Sequence, residues 1–246
     1  MKAALITNLV TGDFEKNQKR ILELADDAVK RGAGLVVFGE AAATGLINTG
    51  ELEHDIKIAE PVPGPRNTEW GKFARDRGVY FAAGLIERDG RRMYDSALLY
   101  DPGGNLILHY RRNDPGWLHP GDDREVYRVG TEIRFTETPF GKVGFLVCGD
   151  LWSNEVVERF KAEIPRYLIY IMERTFNTSQ DIHKDWESEL EAYWQRLSTT
   201  GCSVLAVNLL REGFISLGSA WYMDGKGKVH SLLPAGMEGA LIVDLI

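Results

Sequence analysis

The chain has 246 residues, of which 44% are hydrophobic and 26% are charged, and its formal net charge is −7. This length suits one large α/β domain, and we expect a single domain over residues 1–246. The acidic balance, without a run of basic residues, argues against nucleic acid or an anionic membrane as a partner. The apolar start of the chain is too short for a signal peptide, and no segment has the length of a membrane span. Two cysteines without a Cys-x-x-Cys pair predict a protein of the reducing cytoplasm.

The first half of the chain alternates strand and helix patterns and then changes to hairpins. Apolar residues recur at helical spacing in residues 14–30, and residues 35–38 form a short buried run beside glycines. The predicted elements are a strand at 3–10, a helix at 14–30, a strand at 35–38, a helix at 68–77 and strands at 79–86, 93–100 and 106–111. Hairpins after two strand–helix units predict a mixed sheet, because strand–helix repetition alone gives a parallel one.

The second half repeats a similar pattern. Its predicted elements are a strand at 143–147, a helix at 156–162, a strand at 167–172, a helix at 186–199, a strand at 203–209 and closing strands at 215–223 and 240–246. Two similar halves, 1–111 and 131–246, predict an α/β fold in which two mixed sheets pack face to face with helices outside. The irregular residues 113–130 form a long loop, which is more often functional than idle inside a compact domain.

A cysteine stands where one buried strand is predicted to end. Cys148 follows the apolar residues 143–147 and precedes Gly149, and Ser153 or Asn154 can cap the next helix. Such a sharp turn can expose a nucleophile and direct backbone N–H groups at an oxyanion. Most cysteines beside buried strands are inert small hydrophobic residues, and no base lies nearby in the sequence. This stretch alone therefore leaves both a catalytic and a structural cysteine open.

A carboxylate stands at the end of another buried strand. Glu40 follows residues 35–38 and Gly39, and small residues come after it. Burial at this place would raise the pKa of the carboxyl group and suit it to accept a proton. A glutamate that faces solvent or caps the next turn would fit the same pattern, so the position alone assigns no role.

Three strand ends carry chemically useful residues in the order Glu40, Arg111-Arg112 and Cys148. This order resembles the Glu–Lys–Cys signature of the nitrilase (carbon–nitrogen hydrolase) superfamily. Residues 37–40 look like its first motif, residues 108–112 like its second, and residues 147–150 with Glu155 like its third. Supporting similarities run along almost the whole chain, including residues 63–65, Gly84 with Glu87, Tyr94 and Ser96, Asn208, and Gly218 with Ser219.

The resemblance implies a four-layer α-β-β-α sandwich and an amidase-type hydrolase. By this resemblance, Glu40 is the general base and Cys148 the nucleophile that forms a thioester, while Arg112 and the Gly149 N–H hold the oxyanion. The implied substrate is a small amide, omega-amide, carbamoyl compound or nitrile. The family also implies a homodimer or a higher homo-oligomer.

The sequence departs from the family pattern at three positions. Arg112 stands where the family has lysine, Asn154 where a proline precedes Glu155, and Asp95 where asparagine is usual. Arginine keeps the positive charge but is longer and planar. A replacement inside a preorganised oxyanion site can cost on the order of 3 kcal/mol. The alternative is therefore a catalytically impaired nitrilase-fold protein that binds a ligand or partner, and an acyltransferase is a third possibility.

Further site residues follow from the same resemblance. Glu125, with Asp122 and Asp123 behind it, is the expected second acid that positions substrate nitrogen and water. Apart from the resemblance, the aromatic residues Trp117 and Trp152 could line the pocket, although their aromatic character suits a place in the core equally well. Arg174, beside the loop of Phe176 and Asn177, is expected to receive a substrate carboxylate.

Other chemistry finds less support in the sequence. A Cys–His dyad would need one of the five histidines near Cys148, and only His119 and His183 lie in loops that could reach it. No Cys/His cluster has zinc-site spacing, and no glycine-rich turn has the setting of a phosphate-binding loop. We therefore expect neither a metal nor a cofactor.

Overall fold

The structure is a computed structural model that describes residues 1–176 and 181–245. Within these residues the α-helices are α1 (Phe14–Lys30), α2 (Leu52–Ile58), α3 (Pro65–Arg77), α4 (Asn154–Lys161) and α5 (Ile182–Ser198). The strands are β1 (Lys2–Thr7), β2 (Leu9–Val10), β3 (Ala33–Val37), β4 (Tyr80–Asp89), β5 (Arg92–Tyr100), β6 (Leu106–Arg111), β7 (Phe135–Thr138), β8 (Gly141–Val147), β9 (Tyr167–Met172), β10 (Thr175–Phe176), β11 (Ser203–Asn208), β12 (Leu210–Arg211), β13 (Ile215–Ser216), β14 (Ala220–Met223), β15 (Val229–Leu233) and β16 (Gly239–Asp244). No helix among the described residues is long and apolar enough to cross a membrane.

Two mixed six-stranded sheets share one topology. The first has the order β16-β1-β3-β4-β5-β6 and the second the order β7-β8-β9-β11-β14-β15. Strands β1, β3 and β4 are parallel, as are β8, β9 and β11, and antiparallel strands complete both sheets. The prediction of two mixed sheets from two similar halves is therefore confirmed.

The sheets pack face to face and bury their inner side chains against each other. Leu5 and Val37 of the first sheet and Phe145 and Ile169 of the second belong to this inner core. Helices α1 and α3 cover the outer face of the first sheet, and α4 and α5 cover that of the second. The layers follow the order helix, sheet, sheet, helix, which confirms the predicted sandwich.

Local sequence signals explain where several helices begin. The Asp13 side chain accepts a hydrogen bond of 3.0 Å from the Lys16 N–H at the start of α1. Ser153 accepts one of 3.4 Å from the Val156 N–H at the start of α4. Each cap satisfies a backbone donor that has no partner within its helix. The cap predicted at Ser153 or Asn154 is therefore the one that Ser153 forms.

The end of the chain differs from the sequence prediction. The strand predicted at 215–223 is divided into β13 and β14, because Gly218 (φ 59°) and Ser219 (φ 109°) adopt backbone conformations that interrupt a strand. Helix α2 and strands β7 and β15 were not among the predicted elements. Strand β16 leaves the second half and pairs with β1 of the first sheet, where it covers an edge that would otherwise be open.

Candidate active site

The Glu40 turn is held by close backbone packing after β3. Ala42 N–H donates to the Gly84 carbonyl and Gly84 N–H donates to the Gly39 carbonyl, both at 3.0 Å. A Cβ on Gly84 would lie 2.8 Å from the Glu40 Cα, so β4 can pass this turn only with glycine there. Glu40 itself is completely buried. The sequence thus fixes a buried carboxyl group at the end of a strand.

The Cys148 turn has an unusual backbone conformation at the end of β8. Cys148 has a φ of +46°, a region that non-glycine residues seldom occupy and that is enriched at functional sites. A short 3₁₀ helix, Cys148–Trp152, follows, and the Cys148 carbonyl accepts a hydrogen bond of 2.9 Å from the Tyr170 hydroxyl. The residue as a whole is partly exposed, while its thiol lies in buried surroundings.

Asp150 joins the cysteine turn to the segment after β6. Its Oδ2 accepts from the Val147 N–H at 3.0 Å and from the Tyr110 hydroxyl at 2.7 Å. Its Oδ1 accepts from the Asn113 N–H at 2.9 Å and the Asp114 N–H at 2.8 Å. Burial raises the pKa of Asp150 to about 6, despite these donors. The four hydrogen bonds hold the residues that follow Arg112 against the turn that carries Cys148.

Arg112 is bonded to three carboxylates. Its Nη1 lies 3.0 Å from Glu40 Oε1 and 3.2 Å from Asp95 Oδ2, while Nη2 lies 2.9 Å from Asp114 Oδ1. Only 4% of the Arg112 side chain is exposed. A planar guanidinium can divide its donors in this way, whereas a lysine ammonium is a single point. Two of the departures from the family pattern, Arg112 and Asp95, are thus in direct contact.

The electrostatics of the site couple Glu40 to Cys148. Burial raises the pKa of Glu40 well above its usual value, and the negative charges of Cys148 and Asp95 raise it further, against the attraction of Arg112. Burial also raises the pKa of the Cys148 thiol, while Arg112 and hydrogen bonding with Glu40 lower it. Glu40 Oε2 accepts a hydrogen bond of 2.6 Å from the Glu173 N–H. The site therefore holds an acid–base pair beside a thiol, with one cation in contact with the acid.

Three of the predicted substrate-binding residues lie around this cluster. A Cβ on Gly149 would collide with Asp114 Oδ1 and Arg112 Nη2, so both groups lie directly against the Cys148–Gly149 turn. Trp152 is 51% exposed, and its ring lies 5.3 Å from that of Tyr193.

Arg174 is close enough to Cys148 to interact with it electrostatically, but its guanidinium is engaged elsewhere. Its Nε and Nη2 donate to the two oxygens of Glu189 at 2.8 and 2.6 Å, and Nη1 donates to the Thr175 carbonyl at 2.6 Å. A substrate carboxylate would have to compete with Glu189 for the Nε and Nη2 donors of Arg174. Asn177, from the neighbouring predicted loop, lies outside the described residues.

Two predicted site residues are not brought to the cluster. Trp117 is 3% exposed and packs against Tyr127 in a separate hydrophobic cluster. The Glu125 side chain is 84% exposed and contacts Arg128 at 3.3 Å. Within the described residues, no hydrogen bond or ion pair joins either side chain to Glu40, Arg112 or Cys148.

Two acidic residues at the site were not predicted. Asp114 follows Arg112 by two residues, and Glu173 follows the buried strand β9 as Glu40 follows β3. The strand-end position of Glu173 is the same signal that identified Glu40, so the sequence could have indicated it. The role of Asp114 depends on the loop conformation set by Asp150, for which the sequence offers no comparable signal.

The histidines within the described residues do not form a dyad with Cys148. His54 contacts Asp55, His109 contacts Glu87, His119 contacts the Asn48 carbonyl and His230 contacts Asp224, all within 2.8 Å, and His183 is exposed. The base candidate is therefore the carboxyl group of Glu40, which lowers the pKa of the Cys148 thiol by hydrogen bonding.

Comparison with known proteins identifies relatives of the chain. The sequence matches the family model described as carbon-nitrogen hydrolase over residues 2–245. A nitrilase of Pyrococcus abyssi is 35% identical over 147 residues, which are 57% of this chain and 52% of that protein. An omega-amidase of Xenopus tropicalis is 24% identical over 176 residues, which are 69% of this chain and 62% of that protein. The matches thus span between half and two thirds of these relatives.

Solved structures show the same fold. A carbon-nitrogen hydrolase from Helicobacter pylori superposes with a TM-score of 0.83 at 19% identity, covering 100% of this chain and 89% of that one. A mutant of an amidase of the nitrilase superfamily from Nesterenkonia superposes with a TM-score of 0.81 at 18% identity, covering 100% of this chain and 90% of that one. Since the family model extends over nearly every residue, the chain belongs to the carbon-nitrogen hydrolase family, within the nitrilase superfamily.

Proposed function

We propose that the chain is an amidase-type hydrolase that cleaves the C–N bond of a small amide, omega-amide, carbamoyl compound or nitrile through Cys148. The observation that carries this proposal is the buried Glu40–Arg112 pair, 3.0 Å apart, beside a partly exposed cysteine with positive φ. Family membership supports it, and the matched relatives include proteins named nitrilase and omega-amidase.

The first half of the reaction forms a thioester. The Glu40 carboxylate takes the proton of the Cys148 thiol, and the sulfur attacks the amide carbonyl carbon. The carbonyl oxygen becomes an oxyanion, which Arg112 and the Gly149 N–H stabilise. The position of Nη2 against the Cys148–Gly149 turn supports this assignment. Glu40 then returns its proton to the departing amine, and the C–N bond breaks.

The second half releases the acid. Glu40, again a carboxylate, takes a proton from water, and the resulting hydroxide attacks the thioester carbonyl. The C–S bond breaks, the product leaves as a carboxylic acid and the sulfur recovers a proton from Glu40. If an amine rather than water attacked the thioester, the same residues would perform acyl transfer, so product identification separates these two activities.

A second candidate is a catalytically impaired protein that binds a ligand or partner. The specific observation in its favour is that Arg112 already contacts Glu40, Asp95 and Asp114, so its charge is compensated before any oxyanion forms. Under this alternative, the wild type shows no turnover and an Arg112→Lys substitution brings no gain, whereas the hydrolase is active as the wild type and loses turnover in this variant.

The deciding experiment measures alkylation of Cys148 by iodoacetamide across pH, with each site quantified by peptide mass. Cys202, which is buried, serves as the internal control, and Glu40→Gln runs beside the wild type. We expect selective labelling of Cys148 at neutral pH and slower labelling in the variant, followed by ammonia release from a panel of amides. Labelling no faster than that of a free model thiol, with no ammonia release, would overturn the hydrolase.

A homodimer and a cytoplasmic location complete the proposal. The family resemblance supports the dimer, and the two unpaired cysteines suit a reducing compartment. Light scattering at several protein concentrations tests the oligomeric state directly.

A further inference from the structure

The charges around Cys148 do not balance. Arg112 is surrounded by Glu40, Asp95 and Asp114, so one guanidinium faces three carboxyl groups. Burial and the negative charges of Cys148 and Asp95 raise the pKa of Glu40, so Glu40 is the carboxyl group of the three that can hold a proton. Even with that proton in place, two negative charges face one positive charge. A surplus of negative charge therefore lies beside the thiol.

The next ion pairs do not remove this surplus. Glu173 is paired with Arg211, and Arg174 forms two hydrogen bonds with Glu189. Each of these pairs is neutral by itself. Within residues 1–176 and 181–245, no hydrogen bond or ion pair therefore brings a second cation to the Arg112 cluster.

Asp114 is the member of the cluster that an incoming molecule can reach. Its side chain is 23% exposed, whereas the side chains of Glu40 and Asp95 are fully buried. Its Oδ1 lies against the Cys148–Gly149 turn and accepts a hydrogen bond of 2.8 Å from the Gly116 N–H. This fixed orientation keeps a carboxylate at the rim of the reacting turn.

Aromatic and acidic groups also lie around Tyr193, close to Cys148. Trp152 is half-exposed beside Tyr193, and the Arg174–Glu189 pair lies next to the same tyrosine. Aromatic faces and carboxylates both attract a cation, while an anion would meet Glu189 and Asp114. Of the basic groups near this tyrosine, Arg174 is bound by the Glu189 carboxylate, and Arg196 donates to the Leu151 carbonyl and to Asn154 Oδ1.

We propose that the site selects amides whose acyl portion carries a positive charge, such as an ammonium group a few bonds from the carbonyl, and that Asp114 is the specificity-determining residue. The inference rests on the proposed hydrolase function and names its substrate class. It replaces the expectation that Arg174 binds a substrate carboxylate.

The test uses charged thiol reagents, because they report on the surroundings of Cys148 without requiring turnover. The rates of modification by trimethylammonioethyl, methyl and sulfonatoethyl methanethiosulfonate are measured at Cys148 and on free cysteine. We expect the cation-to-anion rate ratio, relative to free cysteine, to be about tenfold at low salt and to shrink as salt screens the field. In Asp114→Asn this ratio should fall toward one.

Two controls separate charge from structure. A merely structural effect of Asp114→Asn would change the rates of all three reagents alike, including the neutral methyl reagent. Glu137→Gln removes one exposed carboxylate on β7, away from the site, and should leave the ratio unchanged. A ratio at or below one in the wild type, or an unchanged ratio in Asp114→Asn, overturns the inference.

Three amides then connect the charge preference to catalysis. We expect kcat/KM for ammonia release to be highest for β-alaninamide, lower for butyramide and lowest for succinamate. In Asp114→Asn, the ratio of kcat/KM for β-alaninamide to that for butyramide should fall. Hydrolysis of butyramide with equal or better hydrolysis of succinamate would leave the hydrolase standing and refute the cationic substrate class. If no reagent modifies Cys148 and no amide is hydrolysed, the proposed function fails, and the selectivity fails with it.

Discussion

Two buried glutamate–arginine pairs lie side by side in this molecule, and they differ in what surrounds them. Glu40 follows β3 and pairs with Arg112, and Glu173 follows the topologically equivalent strand β9 and pairs with Arg211. Both carboxyl groups are almost completely buried. A hydrogen bond from the Glu173 N–H to Glu40 joins the pairs.

In the Glu173–Arg211 pair, one carboxylate balances one guanidinium, and each group has further contacts of its own. Glu173 also accepts a hydrogen bond of 2.6 Å from the Leu46 N–H, and the Arg211 guanidinium lies 3.8 Å from the centre of the Phe214 ring. The first pair shares its arginine with Asp95 and Asp114 and lies beside Cys148. A buried ion pair at a strand end is thus not distinctive by itself. What distinguishes the Glu40 pair is the unbalanced charge and the adjacent thiol.

The largest expected effect separates the two glutamates. Glu40→Gln should lower kcat/KM by about a thousandfold, because it removes the general base. Glu173→Gln should lower it far less, since the backbone N–H that contacts Glu40 remains. Amide hydrolysis and thermal unfolding are measured for both variants. Equal losses of activity in two folded variants would contradict the distinction between the pairs.

Substitution of Arg112 should likewise reduce activity more than substitution of Arg211. Arg112→Lys should lower kcat/KM by about a hundredfold, as for the loss of one oxyanion donor, because lysine cannot reach three carboxylates at once. Arg211→Lys keeps a positive charge for a single partner and should have a smaller effect.

Asp95→Asn added to Arg112→Lys sharpens this test. The asparagine removes a buried charge that the shorter cation would leave poorly paired, so the double variant should recover part of the activity. Amide hydrolysis by the two single variants and the double variant forms the cycle. An Arg112→Lys enzyme as active as the wild type would refute a specific requirement for the guanidinium.

The sequence predicts the strand ends of this site better than its loops. Alternating and continuous apolar patterns locate β3 and β8, and the carboxyl ends of parallel strands collect at one edge of a sheet. The strand-end positions of Glu40 and Cys148 therefore mark both residues as candidates from the sequence alone. The predicted sandwich is confirmed. Their catalytic roles remain predictions.

The other features of the site and the fold depend on contacts that leave no periodic pattern in the sequence. Asp114 reaches the site because Asp150 binds two consecutive backbone N–H groups after Arg112. Strand β16 pairs with β1 across the two halves, which a division of the chain at residue 131 does not anticipate. The aromatic character of Trp117 suits a pocket wall and a core equally, and in the structure Trp117 packs against Tyr127.

A smaller effect concerns the pH dependence of the Glu40 pair. The negative charge of Asp95 raises the pKa of both Glu40 and Cys148, so its removal lowers both. In Asp95→Asn, the pH profile of Cys148 alkylation should therefore shift to lower pH. Glu137→Gln is the charge-matched control and should not shift it. A shift to higher pH in Asp95→Asn would mean that Asp95 stabilises the reactive form.

The smallest expected effect belongs to Glu125, which the sequence made a catalytic candidate. Its exposed side chain contacts only the neighbouring Arg128 among the described residues, and exposed pairs of this kind contribute at most about 1 kcal/mol. Glu125→Gln should therefore change kcat/KM and the unfolding temperature very little, whereas Asp114→Asn changes substrate preference. A large loss of activity in Glu125→Gln, with the fold intact, would mean that the loop before β7 turns inward when substrate binds. The second acid of the site would then come from that loop, and the charge surplus at Cys148 would be greater still.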